Sequence, residues 1–139
     1  MNPFLQTIAE QHGTPSYCYD LDTAATRAQE LQALFPAAAN PQLMYSFKSN
    51  PLPAVAGELN RNGCQADLTS PGEVTAAVTA GFDMSKALYG GPGKSVTEIA
   101  NALIHGDQQF SVESWHDVAV IAVAAREAQT EVRCILRVN

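Results

Sequence analysis

The sequence predicts an α/β fold that forms part of a (β/α)8 barrel of the TIM type. The main observation is a repeat in which strand-like segments begin every 22 or 23 residues, each followed by a helical pattern. These segments begin near Leu43, Gln65, Ala87, Gln109 and Val132. Short links between alternating strands and helices imply parallel strands joined by crossovers, and the even spacing favours a barrel over a doubly wound sheet.

The number of repeats limits how much of a barrel the chain can form. A hydrophobic content of 46% with 16% charged residues is typical of a globular protein, and 139 residues are enough for one domain with a buried core. A closed barrel of this kind has eight strands and typically about 250 residues. We therefore expect about five βα units here, with the remaining strands supplied by a missing segment or by a partner chain.

Residues 1–36 lie outside the repeat and are predicted to form a preface of one strand and one helix. The segment Thr14–Tyr19 has the composition of a short strand. Asp22 is placed to cap a helix that ends before Pro36. The apolar residues of this helix are Ala24, Ala28, Leu31 and Phe35.

The helices of the repeat have recognisable starts and stops. Residues 70–73 (Ser-Pro-Gly-Glu) and 95–98 (Ser-Val-Thr-Glu) both fit a capping box at a helix N-terminus. Gly63, Gly81 and Gly106 are predicted to end the helices that precede three of the strands. The apolar helical faces are Leu52, Val55, Ala56 and Leu59 in the first repeat, and Val118, Ile121, Ala122 and Ala125 in a later one.

Charge and hydropathy exclude several classes of partner. A net charge of −6 without a basic run disfavours binding to nucleic acid or to an anionic membrane surface. No apolar stretch is long enough to span a bilayer, and the N-terminus lacks the basic and apolar regions of a signal peptide. We expect a cytoplasmic protein that acts on a small molecule.

The cysteines and histidines predict neither a metal site nor a redox site. Cys18, Cys64 and Cys134 lie far apart, each in an apolar run, and are interpreted as small buried hydrophobic residues. The three histidines are scattered and include no pair at helical spacing.

Lys48 is the candidate reactive residue. It ends an apolar strand segment just before a helix, and in a barrel this edge of the sheet carries the chemistry. A lysine amine that loses its proton can form a covalent imine with a carbonyl compound. The alternative is a solvated lysine at a strand end, which position alone would favour.

The loop Gly90–Ser95 invites comparison with a nucleotide-phosphate loop, because it ends in Gly-Lys-Ser and opens a helix. That motif requires a glycine five positions before Gly93, where this sequence has Leu88. The spacing therefore argues against nucleotide hydrolysis, and an anion site formed by backbone N–H groups stays open.

Five motifs, in this order, resemble the fold-type III pyridoxal-phosphate decarboxylases of amino acids, a family that includes the diaminopimelate, ornithine and arginine decarboxylases. The motifs are Thr14-Pro-Ser-Tyr-Cys-Tyr-Asp20, Tyr45-Ser-Phe-Lys48-Ser-Asn50-Pro51, Ala66-Asp67-Leu-Thr-Ser70-Pro-Gly-Glu73, Gly91-Pro-Gly-Lys94-Ser95 and Leu136-Arg137-Val-Asn139. The resemblance covers nearly the whole chain. Its last two motifs favour the diaminopimelate decarboxylase branch.

The resemblance implies a cofactor and a set of site residues. Lys48 would hold pyridoxal 5'-phosphate covalently, and Asp67, Glu73 and Arg137 would line the cofactor pocket in an alanine-racemase-like barrel. Each of these three has a structural alternative: Glu73 as a helix cap, Asp67 as a carboxylate facing water, and Arg137 as a solvated side chain. No metal is implied.

The implied activity is decarboxylation of a basic or diamino acid by a homodimeric parent protein. Residues 37–139 would then be the N-terminal part of the cofactor-binding barrel, and the chain alone is expected to be inactive. Two alternatives stay open. One is a non-catalytic, cofactor-binding regulator of the same barrel type. The other is an amino-acid racemase, although Leu52-Pro53-Ala54 follows the lysine motif where racemases have a tyrosine-glycine-histidine run.

Overall fold

A computed structural model describes residues 2–138, apart from the side chain of Ala37. The helices are α1 (Pro3–His12), α2 (Leu21–Ala33), α3 (Pro53–Arg61), α4 (Pro71–Thr79), α5 (Val96–Ile104) and α6 (Trp115–Glu127). The strands are β1 (Met44–Ser46), β2 (Gln65–Leu68), β3 (Leu88–Tyr89), β4 (Gln109–Val112) and β5 (Arg133–Leu136). Short 3-10 turns occupy Ala37–Ala39, Phe47–Ser49 and Met84–Lys86.

The five strands form one parallel sheet in the order β1-β2-β3-β4-β5. Each strand pairs with the next one along the chain, in registers such as Ser46 with Asp67 and Leu88 with Gln109. A helix links each strand to the following one, which is the connectivity of a (β/α) barrel. The predicted repeat is therefore confirmed, and every strand begins within one residue of its expected position.

The hydrophobic core lies between one face of the sheet and the helices α3 to α6. Alternate strand residues point into it, as Ala66 and Leu68 of β2 and Phe110 and Val112 of β4 show. The helices contribute mostly small or β-branched residues. These are Ala56, Val74, Ala77, Ile99, Ala102, Val120, Ile121 and Ala124. The residues between the buried strand positions face the other side of the sheet, which leaves that side available for polar side chains.

Serine hydroxyls begin the three helices that follow β2, β3 and β4. Ser70 Oγ accepts a hydrogen bond from the backbone N–H of Glu73, and Ser95 forms the predicted capping box with Glu98. A second complete capping box, at Ser114 and Asp117, was not predicted, because its fourth position is aspartate rather than glutamate. Helices α3, α4 and α5 end before glycines with positive φ, as predicted for positions 63, 81 and 106.

The preface differs from the sequence-based expectation. The strand predicted at Thr14–Tyr19 is wrong: residues 14–19 are exposed and pair with no strand among residues 2–138. The helix α1 precedes them and was not predicted. Helix α2 is present, but Asp20 rather than Asp22 caps it, with Oδ1 accepting from the N–H of Thr23 at 3.0 Å.

Two of the three cysteine predictions are wrong. Cys64 is buried, as expected, whereas Cys18 and Cys134 are exposed. Cys18 belongs to the unpaired segment after α1, and Cys134 lies on β5 at the edge of the described sheet, where no further helix or strand covers it within residues 2–138.

Across residues 2–138, every helix is too short or too polar to cross a lipid bilayer.

Candidate active site

The candidate site is a cavity of 550 Å³ at the carboxyl edge of the parallel sheet. Lys48, Asp67 and Arg137, which come from separate motifs in the sequence, all line it. The other lining residues are Thr69, Leu88, Gly90, Gly91, Pro92, Ser111, Glu113, Ile135 and Leu136. A second cavity, of 300 Å³, lies near Gln109 and Arg133 at the opposite end of the strands, away from the edge at which such barrels carry their chemistry.

Lys48 lies in a 3-10 turn directly after β1, and the neighbouring aromatic residues fix this turn. Phe47 is fully buried and packs edge-to-face against Tyr45 and Phe82, with ring centroids 5.4 Å and 5.3 Å away. The Tyr45 hydroxyl donates to the backbone carbonyl of Asn50 at 2.7 Å, which closes the turn from the other side. With Phe47 directed into the core, Lys48 is exposed and lines the cavity.

Asp67 and Glu73 occupy different places relative to the cavity. Asp67 is half-buried on the face of β2 that points away from the helices, and it lines the cavity. The Glu73 carboxylate instead accepts from the backbone N–H of Thr69 at 2.6 Å and from its hydroxyl at 3.1 Å. Because Thr69 lines the cavity, Glu73 reaches it only through Thr69. The Glu73 carboxylate thus accepts from Thr69, the residue before the N-cap, whereas the predicted capping box would have it accept from the N–H of Ser70 itself.

The loop after β3 forms one wall of the cavity with its backbone. Gly90 and Gly91 line the cavity, whereas Lys94 is turned away from solvent and is only 3% exposed. Lys94 Nζ donates to the carbonyl of Gly91 at 2.5 Å, so its amine points away from the cavity.

Sequence reasoning missed the polar residues that β4 contributes to the cavity, Ser111 and Glu113. Both follow from the alternation of β4, in which Phe110 and Val112 are buried and residues 109, 111 and 113 therefore face the other side. Glu113 Oε1 accepts from Arg137 Nη1 at 3.3 Å, which ties the ends of β4 and β5 together. Asn139, the last residue of the arginine motif, lies outside the described residues.

The charges of the cavity are balanced, with two cations and two carboxylates. Lys48 and Arg137 supply the positive charges, and Asp67 and Glu113 supply the negative ones. Residues 2–138 bring together no group of three or more histidine, cysteine, aspartate or glutamate side chains that could hold a metal ion.

These residues fit pyridoxal 5'-phosphate. A primary amine is the group that condenses with the aldehyde of this cofactor, and a guanidinium can bind a phosphate oxygen. At Gly90 the wall has no side chain: a Cβ there would lie 3.8 Å from Ser111 Cβ and 3.9 Å from Asp67 Oδ1. The volume of 550 Å³ falls within the roughly 300–1,000 Å³ typical of cofactor and ligand sites.

Comparisons with known proteins identify the family. The family model described as "Pyridoxal-dependent decarboxylase, pyridoxal binding domain" matches residues 21–139. The chain is 31% identical over 137 residues to the diaminopimelate decarboxylase of Zymomonas mobilis, covering 97% of this chain and 32% of that protein. It is 35% identical over 124 residues to the diaminopimelate decarboxylase of Neisseria meningitidis serogroup B, covering 88% of this chain and 30% of that protein.

The fold is also shared with solved structures. The diaminopimelate decarboxylase of Helicobacter pylori, solved in complex with L-lysine, superposes with a TM-score of 0.85 at 28% identity, over 97% of this chain and 34% of that one. The sheet described above is therefore part of a barrel of the expected type. The chain spans about a third of the length of the relatives that it matches. The chain belongs to the pyridoxal-dependent decarboxylase family of fold-type III and matches the pyridoxal binding domain of that family over residues 21–139.

Proposed function

We propose that this chain supplies the cofactor-binding wall of a pyridoxal-phosphate-dependent decarboxylase acting on a basic or diamino acid of the diaminopimelate type. The observation that carries the proposal is the meeting of Lys48, Asp67 and Arg137 in one cavity at the carboxyl edge of the sheet. The names of the curated relatives support decarboxylation and diaminopimelate as the substrate class.

Within this proposal Lys48 binds the cofactor covalently, and Asp67 and Arg137 orient it. The bound pyridoxal phosphate supplies an electron sink for the carbon that loses carbon dioxide. The Lys48 amine would hold the cofactor and would take up and release a proton at Nζ. Arg137, whose guanidinium is held by Glu113, lines the same cavity and would help to hold the cofactor. Glu73 acts indirectly, by fixing Thr69.

The organisation of the whole protein is part of the same proposal. Residues 37–139 carry the cofactor wall, while residues 1–36 precede it, with α2 packed on α3 through Gln32 Nε2, which donates to the carbonyl of Asn62 at 2.8 Å. We propose a homodimer of the whole protein, acting on a small amino acid in the cytoplasm.

The cofactor site can be tested directly because the sequence contains only three lysines, Lys48, Lys86 and Lys94. Incubation with pyridoxal phosphate, borohydride reduction and peptide mass spectrometry would locate the reduced adduct. We expect the adduct on Lys48 and its loss in Lys48→Arg. Lys86→Arg is the matched control, because Lys86 is exposed and pairs with Asp83 on the surface, at 2.9 Å. An adduct distributed equally between Lys48 and Lys86 would contradict a dedicated site.

The reaction class requires a second assay on the whole protein that contains this chain. We expect carbon dioxide release from diaminopimelate that Lys48→Arg abolishes. Exchange of the α-hydrogen with inversion and without carbon dioxide release would instead identify the racemase alternative. Covalent cofactor binding with neither reaction on diaminopimelate, lysine, ornithine or arginine would identify the non-catalytic one.

A further inference from the structure

Lys94 and Asp117 form a buried ion pair behind the cavity. Their residues are 3% and 2% exposed, and Lys94 Nζ lies 3.7 Å from Asp117 Oδ1. Neither residue lines the cavity that contains Lys48. Charged side chains are almost never buried to this degree unless they are paired, so the position of both groups is strongly determined.

Each member of the pair also holds backbone groups of a neighbouring loop. Lys94 Nζ donates to the carbonyl of Gly91 at 2.5 Å. Asp117 Oδ2 accepts from the backbone N–H groups of Glu113 and Ser114, at 2.9 Å and 3.0 Å. The pair therefore joins the loop after β3 to the loop after β4.

Both loops reach the cavity at the residues that the pair holds. Gly91 and Glu113 line the cavity, and Glu113 Oε1 accepts from Arg137 Nη1 at 3.3 Å. A continuous set of polar contacts thus runs from Gly91 through Lys94, Asp117 and Glu113 to Arg137. It joins the carboxyl ends of β3, β4 and β5.

The electrostatics agree with this arrangement. Burial by itself would raise the pKa of the Asp117 carboxyl, but the N–H of Glu113, the charge of Lys94 and the Ser114 hydrogen bonds outweigh it and lower the pKa. Asp117 is therefore ionised at neutral pH. A buried ion pair is often no more stabilising than a well-packed apolar pair, so stability alone is a weak reason for charges at these positions.

We propose that Lys94 and Asp117 are positioning residues for the cavity: together they hold the wall at Gly91 and, through Glu113, the guanidinium of Arg137. The functional part of this inference rests on the proposed cofactor site. Its structural part, the control of Arg137 by Lys94, does not.

The first measurement needs no cofactor. The NMR signal of the Arg137 Nε–H group would be compared in the unmodified chain, Glu113→Gln, Lys94→Met and the control Lys86→Met. We expect the Lys94→Met signal to move toward its position in Glu113→Gln, while Lys86→Met leaves it unchanged. An Arg137 signal in Lys94→Met identical to that of the unmodified chain would overturn the proposal, whether or not pyridoxal phosphate binds.

The second measurement separates positioning from stability. Lys94→Met leaves the Asp117 carboxylate buried without its cation, whereas Lys94→Met/Asp117→Asn removes both charges and keeps an acceptor for the Glu113 N–H. Urea unfolding would establish conditions in which each variant is folded. If Lys94→Met does not fold, the NMR and affinity measurements are both made on the double variant. This variant also lacks the Lys94 amine that donates to the carbonyl of Gly91.

Pyridoxal-phosphate affinity would then be measured for the folded variants. We expect the double variant to recover stability but to bind pyridoxal phosphate about tenfold more weakly than the unmodified chain. The reason is that the carbonyl of Gly91 still lacks its hydrogen bond from residue 94. Recovery of affinity together with stability would mean a purely structural pair and would overturn the proposal. Failure of the unmodified chain to bind the cofactor at Lys48 would contradict the proposed function, and the NMR comparison would still decide the role of Lys94.

Discussion

Arg137 Nη1 lies 3.3 Å from Glu113 Oε1. The guanidinium that lines the cavity directly after β5 is therefore bonded to the residue that follows β4. The arginine side chain is 64% exposed, and an ion pair in that environment contributes only about 0–1 kcal/mol to stability. The position of this pair is therefore better explained by the cavity than by the folding energy of the chain.

We predict that Arg137→Ala weakens pyridoxal-phosphate binding by roughly 10- to 100-fold, since a hydrogen bond from a charged group is worth about 1.5–3 kcal/mol. The free energy of unfolding should change by less than about 1 kcal/mol. Equilibrium titration of the cofactor and urea unfolding check the two parts. Arg133→Ala is the matched control, because it lies on the same strand at the opposite end of the sheet. Equal losses of affinity in the two variants would contradict a specific role for Arg137.

Adjacent glycines in the loop after β3 should respond differently to substitution. A Cβ at Gly90 meets only ordinary contacts, at 3.8 Å or more, so Gly90→Ala should fold normally. Gly91 has a φ of +86°, and its Cβ would lie 3.2 Å from Thr69 Cβ. Gly91→Ala should therefore destabilise the chain by about 1–2 kcal/mol.

Substitutions at Gly90 and Gly91 distinguish the effect of filling the cavity from the effect of backbone strain. We expect Gly90→Leu to block pyridoxal phosphate by filling the bare part of the wall, while thermal denaturation shows a smaller loss of stability than in Gly91→Ala. Cofactor binding by Gly90→Leu at the affinity of the unmodified chain would show that the cofactor lies elsewhere.

Asp107 should make stability depend on pH in the neutral range. It is fully buried between α5 and β4, and neither carboxylate oxygen has a hydrogen-bond partner among the described residues. This burial raises the pKa of Asp107 from 3.8 to about 7. The folded chain therefore holds the proton more tightly than the unfolded chain. The resulting stability is fully present below pH 3.8 and is lost as the pH rises toward 7 and above.

We predict that the unmodified chain loses on the order of 2–3 kcal/mol between pH 5 and pH 8 through this group. Asp107→Asn, which cannot ionise, should remove the loss and be the more stable protein at pH 8. Urea unfolding of both proteins at pH 5 and pH 8 measures this change in the free energy of unfolding. The carboxyls whose pKa is lowered act only in more acidic solution. They are Asp20, Glu58, Asp83 and Asp117. If Asp107→Asn loses as much stability between pH 5 and pH 8 as the unmodified chain, Asp107 is not the group responsible.

The repeat and the place of Lys48 at the carboxyl edge of the sheet could be predicted from sequence because both depend on local patterns. The 22-residue spacing places each strand within one residue, and Lys48 follows directly from its position after β1. The resemblance of ordered motifs then identified the family that the comparisons confirm. The roles of Lys48, Asp67, Glu73 and Arg137 stay predictions.

The errors of sequence reasoning have identifiable physical causes. Residues 14–19 have strand-like composition, but a strand needs a partner, and composition cannot say whether one is adjacent. Asp20 and Asp22 are both acceptable caps, and only the backbone geometry selects Asp20. Lys94 was placed in the correct loop, yet no local pattern shows that its amine turns inward to meet Asp117, which is 23 positions later in the sequence.

The serine caps of α4, α5 and α6 have a consequence for how this barrel can change over generations. The helices that follow β2, β3 and β4 close their first turns through Ser70, Ser95 and Ser114. The serine hydroxyl at each of these junctions accepts from a backbone N–H of the first turn without help from the cavity side chains. New side chains at positions such as 69, 90 or 111 can therefore be sampled one at a time while the scaffold persists. Such a rim allows the lining of the cavity to diverge among descendants of one ancestral fold.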